Sequence, residues 1–102
     1  VTEKQFASAV EDLLELKGWL WAHYRPARRK DGSWYTPLSG HKGLMDYIAT
    51  KDGRLLLFEL KSDKGKMSDD QLIWKCELSM TGAEIYLWKP ADWPYIQETL
   101  TK

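Results

Sequence analysis

Leu55-Leu56-Leu57-Phe58-Glu59-Leu60-Lys61 is the stretch on which the reading of the fold turns. Consecutive apolar residues from Leu55 to Phe58 suit a strand in a sheet covered on both faces. Strand side chains alternate, so Glu59 and Lys61 point to one face and Leu60 to the other. A carboxylate and an ammonium side by side at the end of a core strand are costly to desolvate, and that cost needs a reason. An edge-strand ion pair is the plain explanation for an isolated Glu-x-Lys. The apolar run before it points instead to a central strand.

Upstream, Lys51-Asp52-Gly53 carries the Asp-Gly signal of a hairpin turn. Leu44 to Thr50 is then a strand antiparallel to Arg54–Lys61. Counting outward from the turn brings Asp46 opposite Glu59, so both carboxylates can share one site. Further upstream, Thr2 caps a helix from Glu3 to Lys17 that stops at Gly18, with Phe6, Val10, Leu13 and Leu14 as its buried stripe. Glu11, beside Asp12 and Glu15, reads as part of a solvated face. Trp19 to Tyr24 reads as a strand, and Arg25 to Gly43 as a long aperiodic loop, a kind of segment that is often functional.

Downstream, a polar loop from Ser62 to Met67 leads to Ser68, an N-cap with Asp69 and Asp70 in the first turn. The helix it opens runs to about Met80 before Gly82, with Leu72, Ile73, Cys76 and Met80 as its apolar positions. Ala83 to Trp88 is an apolar strand suited to a parallel position reached by that helical crossover. Lys89-Pro90 breaks it, and a short helix follows from about Ala91 to Leu100. The order is α-β-β-β-α-β-α: an α/β fold with a mixed central sheet flanked by helices, and residues 1–102 forming a single domain.

The bulk numbers narrow the class. A chain of 102 residues, 43% hydrophobic and 29% charged, matches an ordinary globular domain with one core. Fifteen basic and fifteen acidic residues cancel, so any polyanion binding has to come from local patches. The single Cys76 excludes an intrachain disulfide and a multi-cysteine zinc site, and fits a reducing compartment. No apolar stretch reaches the roughly 18 residues of a membrane span, and no signal-peptide pattern opens the sequence. The expected location is cytoplasmic. Of the tryptophans, Trp19, Trp21, Trp74 and Trp88 fall on elements and read as core or core edge, while Trp34 falls in the loop.

Asp46 and Glu59, with the Leu60 backbone carbonyl and water, make a hard oxygen set suited to Mg²⁺ or Mn²⁺. Such an ion lowers the pKa of bound water and offsets charge on a leaving phosphate. Lys61 is placed to orient that water or to stabilise the pentavalent phosphate. Arg25, Arg28, Arg29 and Lys30, with Trp34 and Tyr35 behind them, form a basic-aromatic loop. His41, Lys42, Lys64 and Lys66 lie on loops at the same end of the sheet, where cations can follow a phosphate backbone.

Gly43-Leu44-Met45-Asp46, Phe58-Glu59-Leu60-Lys61-Ser62, Lys64-Gly65-Lys66-Met67-Ser68 and Gln71 together closely resemble the VRR-NUC domain. This is the virus-type replication-repair nuclease branch of the PD-(D/E)XK superfamily. The resemblance runs from Glu3 to about Trp88, and the element order is that superfamily's core, a restriction-endonuclease-like fold. It implies that Asp46 and Glu59 are metal ligands and Lys61 the catalytic lysine. It also implies that Gln71 is the family's glutamine near the active site and Glu3 its additional acidic residue. Met45 stands where many relatives have proline, and His41-Lys42 replaces a pair of basic residues; neither change removes a catalytic group.

What the resemblance implies is a Mg²⁺- or Mn²⁺-dependent endonuclease selective for branched DNA such as Holliday junctions or flaps. It would act in bacteriophage or bacterial replication, recombination or repair, as a minimal homodimeric domain in the (host) cytoplasm. The alternative is a DNA-binding or scaffold protein on the same fold with little or no catalysis. Action on RNA is a third, weaker option.

Overall fold

Asp52 and Gly53 both take positive φ, 50° and 80°, the pairing that a two-residue type I′ turn requires and that Asp-Gly tolerates best. The turn joins the two central strands and sets their register. The structure is a computed structural model that describes residues 1–24, 27–35 and 39–102, without the side chains of residues 27, 28, 34 and 35. In chain order its elements are α1 (Glu3–Leu16), β1 (Leu20–His23), β2 (Ala27–Arg28), β3 (Trp34–Tyr35), β4 (Tyr47–Lys51) and β5 (Arg54–Leu60). They continue with α2 (Asp69–Ser79), β6 (Glu84–Trp88), a 3-10 turn (Pro90–Asp92) and α3 (Trp93–Thr101).

The fold is mixed α/β. A four-stranded sheet runs β1-β4-β5-β6, antiparallel except for the parallel β5–β6 pair that the α2 crossover permits. Pairing in the central hairpin runs from Lys51↔Arg54 to Tyr47↔Phe58. Phe6, Val10 and Leu14 of α1 and Ile96 and Leu100 of α3 are buried in one cluster with Tyr47, Ala49, Leu56, Phe58 and Trp88 of the sheet. Each buried Val, Leu, Ile or Phe side chain among them contributes roughly 1.5–3 kcal/mol by leaving water. Leu57, on the opposite face by alternation, is buried as well, so β5 is covered on both sides as its apolar run requires.

Capping occurs where the sequence signals it. Thr2 with Gln5, and Ser68 with Gln71, form reciprocal capping boxes at the starts of α1 and α2. Arg54 ties the far end of the sheet together. Its guanidinium grips both Glu84 oxygens at 2.8 Å and donates to the Thr99 carbonyl at 3.0 Å. It also lies 5.1 Å from the Trp19 ring centroid.

Three expectations need correction. β4 begins at Tyr47, so Leu44, Met45 and Asp46 lie outside the ladder on the approach to it. The segment from Arg25 to Gly43 is not all loop: β2 and β3 pair as a small hairpin within it. On α2 the apolar positions Leu72, Ile73, Cys76 and Met80 are exposed, and the inward side consists of buried Gln71 with half-buried Trp74 and Leu78. Both sets are spaced helically. Helical period identifies a stripe but not which stripe meets the sheet. Among the described residues, no helix is long and apolar enough to cross a membrane.

Candidate functional site

The hairpin register, continued one step beyond Tyr47↔Phe58, sets Asp46 beside Glu59 at the open end of the sheet. The contact is direct: the Asp46 backbone N–H donates to Glu59 Oε1 at 2.8 Å. Lys61, two residues on and on the same side, brings Nζ to 3.7 Å from Glu59 Oε2. The three residues expected to act together are therefore gathered at one point.

Glu59 is only 7% exposed, and its pKa is pushed up to about 7. Burial is the larger cause and the neighbouring Asp46 carboxylate adds to it, while the Asp46 N–H and the Lys61 charge pull the other way. A buried carboxylate shifted in this way is a candidate for a functional group.

Asp46 is held differently. Its Oδ2 accepts from His23 Nε2 at 3.3 Å. Its Oδ1 is buried with no hydrogen-bond partner among the described residues. The strand pair β1–β4 sets His23 opposite Tyr47. The imidazole stacks on the Tyr47 ring, 3.9 Å between centroids and 10° from parallel. Tyr47 in turn stacks on Phe58 at 4.8 Å. Behind His23, Glu11 of α1 accepts the Tyr47 hydroxyl and lies 3.7 Å from His23 Nδ1. Glu11 is thus a half-buried partner of the site and not a solvated residue, which corrects the sequence expectation.

Asp46, Lys61, His23 and Glu3 line a cavity of about 160 Å³, with Phe6 and Leu60 among its apolar walls. Glu3 thus both charges the first turn of α1 and borders the cavity. Leu60, whose carbonyl was the expected third oxygen, is also at this wall.

Among the described residues, no three His, Cys, Asp or Glu side chains group closely enough to cage a metal alone. An ion here would need backbone oxygen and water besides the carboxylates, as Mg²⁺ commonly does. The unpartnered Asp46 Oδ1 and the costly Glu59 carboxylate fit such a hard cation.

Gln71, the family's glutamine by resemblance, takes part in a helix cap. It is buried at the start of α2, and its carboxamide oxygen accepts the Ser68 backbone N–H at 3.1 Å. That oxygen serves the helix cap, and neither Gln71 nor Glu59 is among the residues lining the cavity.

The cations are spread around the same end. Lys64 and Lys66 are exposed on a loop that folds over the Lys61 stem, so closely that a Cβ on Gly65 would come 2.6 Å from Lys61 Cβ. His41 and Lys42 are exposed, and Lys42 Nζ lies 3.6 Å from Asp70. Gly43 (φ 102°) lets this segment press on the start of α2: a Cβ there would come 2.6 Å from the Asp70 carbonyl carbon. Arg29 and Lys30 are exposed at the β2–β3 turn. Arg28 lies in β2 with its side chain outside the described residues, and Arg25 lies outside them entirely.

Sequence reasoning missed His23 and set Glu11, the rival acid on the first helix, aside as part of a solvated face. Strand alternation from Trp21 to His23 and the position of Glu11 next to Val10 were the available signals. Neither a scan against protein-family models nor a search of curated proteins returns a match for this sequence.

Proposed function

We propose that this protein is a divalent-metal-dependent endonuclease of the VRR-NUC kind, with a restriction-endonuclease-like core, that hydrolyses phosphodiester bonds in branched DNA. The observation that carries the reading is the gathering of Asp46, Glu59 and Lys61 at one end of the central hairpin, around a buried Asp46 oxygen with no partner among the described residues. The resemblance of the quoted motifs, which include these three residues, agrees with it.

Asp46 and Glu59, with the Leu60 carbonyl, would hold Mg²⁺ or Mn²⁺. Such an ion supplies a bound water of lowered pKa and positive charge opposite the phosphate. Glu59 offers its charged form to that ion only once ionised, above about pH 7 in its absence. Lys61 borders the cavity, and its ammonium would offset negative charge developing on a phosphate there. Glu3 extends the acidic wall from α1. The exposed Lys64, Lys66, Lys42, Arg29 and Lys30 supply cations for the backbone of a bent or branched duplex. A symmetric pair of such sites in a homodimer would cut both strands of a junction.

The test is cleavage of four-way, flap and linear DNA with Mg²⁺ or Mn²⁺. The expected result is junction or flap cleavage abolished by EDTA and by Lys61→Ala. Cleavage that survives both rejects the mechanism.

One observation favours a second reading, a DNA-binding scaffold without chemistry. Both Glu59 oxygens are already engaged, one by the Asp46 N–H and one by Lys61. Calorimetry with Mn²⁺ separates the two: DNA binding retained with no Mn²⁺ binding favours the scaffold.

A further inference from the structure

Asp46 has two oxygens in unlike surroundings, and the difference has a visible cause. Oδ2 meets His23 Nε2 at 3.3 Å, whereas Oδ1 is buried without a hydrogen-bond partner among the described residues. A carboxylate only accepts, so in this contact Nε2 carries the proton. The imidazole that donates it is fixed from two sides. Tyr47 stacks flat against it at 3.9 Å, and the Glu11 carboxylate stands 3.7 Å from Nδ1. Glu11 is itself held by the Tyr47 hydroxyl. Three elements therefore converge on one rotamer: α1 through Glu11, β1 through His23, and the entry to β4 through Asp46.

Carboxylates that ligate an ion are commonly hydrogen-bonded from behind, and His23 stands in that position toward Asp46. Such a bond fixes a ligand's orientation, so that the ligand loses no freedom when the ion arrives. The Asp46 backbone, just before β4, is held by the Tyr24 N–H and by Glu59 Oε1, and its side chain is held through Oδ2 by His23. The motifs that carry the family likeness do not include His23 or Glu11.

We infer that His23, backed by Glu11, is a positioning residue that holds Asp46 Oδ2 and thereby presents Oδ1 to a divalent cation. The inference rests on the nuclease reading, since it assigns Asp46 to the metal. The imidazole does not touch the ion or the phosphate; it acts through Asp46.

The experiment measures Mn²⁺ affinity by calorimetry and the Mn²⁺ concentration giving half-maximal junction cleavage. It uses the full chain, wild type and three variants. His23→Phe keeps a ring stacked on Tyr47 and removes the donor. His23→Gln restores an N–H donor, and Glu11→Gln loosens the imidazole from behind.

The expected result is a loss of roughly 10- to 100-fold in Mn²⁺ affinity for His23→Phe. Most of it should return in His23→Gln, and Glu11→Gln should show a smaller, several-fold loss. The half-maximal Mn²⁺ concentration should rise in step, with the rate at saturating Mn²⁺ changing far less. A merely structural histidine would instead lower the melting temperature in metal-free buffer and leave Mn²⁺ affinity alone.

Wild-type affinity in folded His23→Phe overturns the inference and leaves the nuclease reading standing. If His23→Phe does not fold, Glu11→Gln decides, and unchanged affinity there also overturns it. Wild-type protein that neither binds Mn²⁺ nor cuts any DNA overturns the nuclease reading and this inference with it.

Discussion

Replacing Glu59 with glutamine should make the metal-free protein more stable at pH 8 while abolishing cleavage. The carboxyl ionises near 4.5 in the unfolded chain and near 7 in the folded one, because burial and the Asp46 carboxylate oppose its charge. Between those values the folded state holds the extra proton, so stability falls as pH rises. It is fully present below about 4.5 and lost once pH passes about 7. A gap of two to three pH units, at about 1.4 kcal/mol each, comes to on the order of 3 kcal/mol. At roughly 4–8 °C per kcal/mol for a domain near this size, the melting temperature should drop by at least about 10 °C across the window.

Glutamine carries no charge, so its own contribution is flat. Its carbonyl still accepts the Asp46 N–H, and what it forfeits is the Lys61 pair. Lys61 is 35% exposed and can turn to water, so that loss is about 1 kcal/mol or less. Removal of the desolvation penalty outweighs it. The assay is thermal or urea unfolding of both proteins in EDTA from pH 4 to 8.5. The difference between the two curves isolates this one group from all others that titrate. Parallel curves, or a variant less stable at pH 8, would refute the reasoning.

The structure sets three further outcomes. Gly43→Ala adds a Cβ 2.6 Å from the Asp70 carbonyl carbon at a φ of 102°, and should cost about 2 kcal/mol or more by urea unfolding and weaken Mn²⁺ binding through the adjoining Asp46 segment. Arg54→Met breaks the two-pronged grip on Glu84 and the bond to Thr99, far from the cavity; about 2–3 kcal/mol of stability should go, with Mn²⁺ affinity unchanged. Thr99→Val removes a buried hydroxyl that has no hydrogen-bond partner among the described residues, and should raise stability by about 1 kcal/mol in the same unfolding assay.

The sheet was largely legible because its signals are local and agree. Leu55 to Phe58 marked a strand covered on both faces, of which Leu56, Leu57 and Phe58 are buried and Leu55 is exposed; Asp52-Gly53 set the turn, and Ser68 announced the second helix. From the turn alone the meeting of Asp46 with Glu59 follows by counting, and the structure brings them together as counted. What could not be read depends on elements distant in sequence. Glu11 and His23 are ordinary flank residues until α1 packs on the sheet and β1 pairs with β4 in a particular register. On α2, Leu72, Ile73, Cys76 and Met80 made the more apolar stripe, yet the less exposed side bears Gln71, Trp74 and Leu78, with Trp74 donating to the Lys42 carbonyl. Gln71 shows the same ambiguity on a smaller scale, since one side chain answers both a motif and a helix cap, and its oxygen goes to the cap.

The two-residue tip at Asp52-Gly53 turns the distance between the acids into a matter of arithmetic. Adding a single residue at that tip would slide one ribbon past the other, swing Asp46 away from Glu59 and turn its side chain toward the opposite layer. Natural variants of this chain should therefore tolerate changed letters at the bend more readily than a changed number of them.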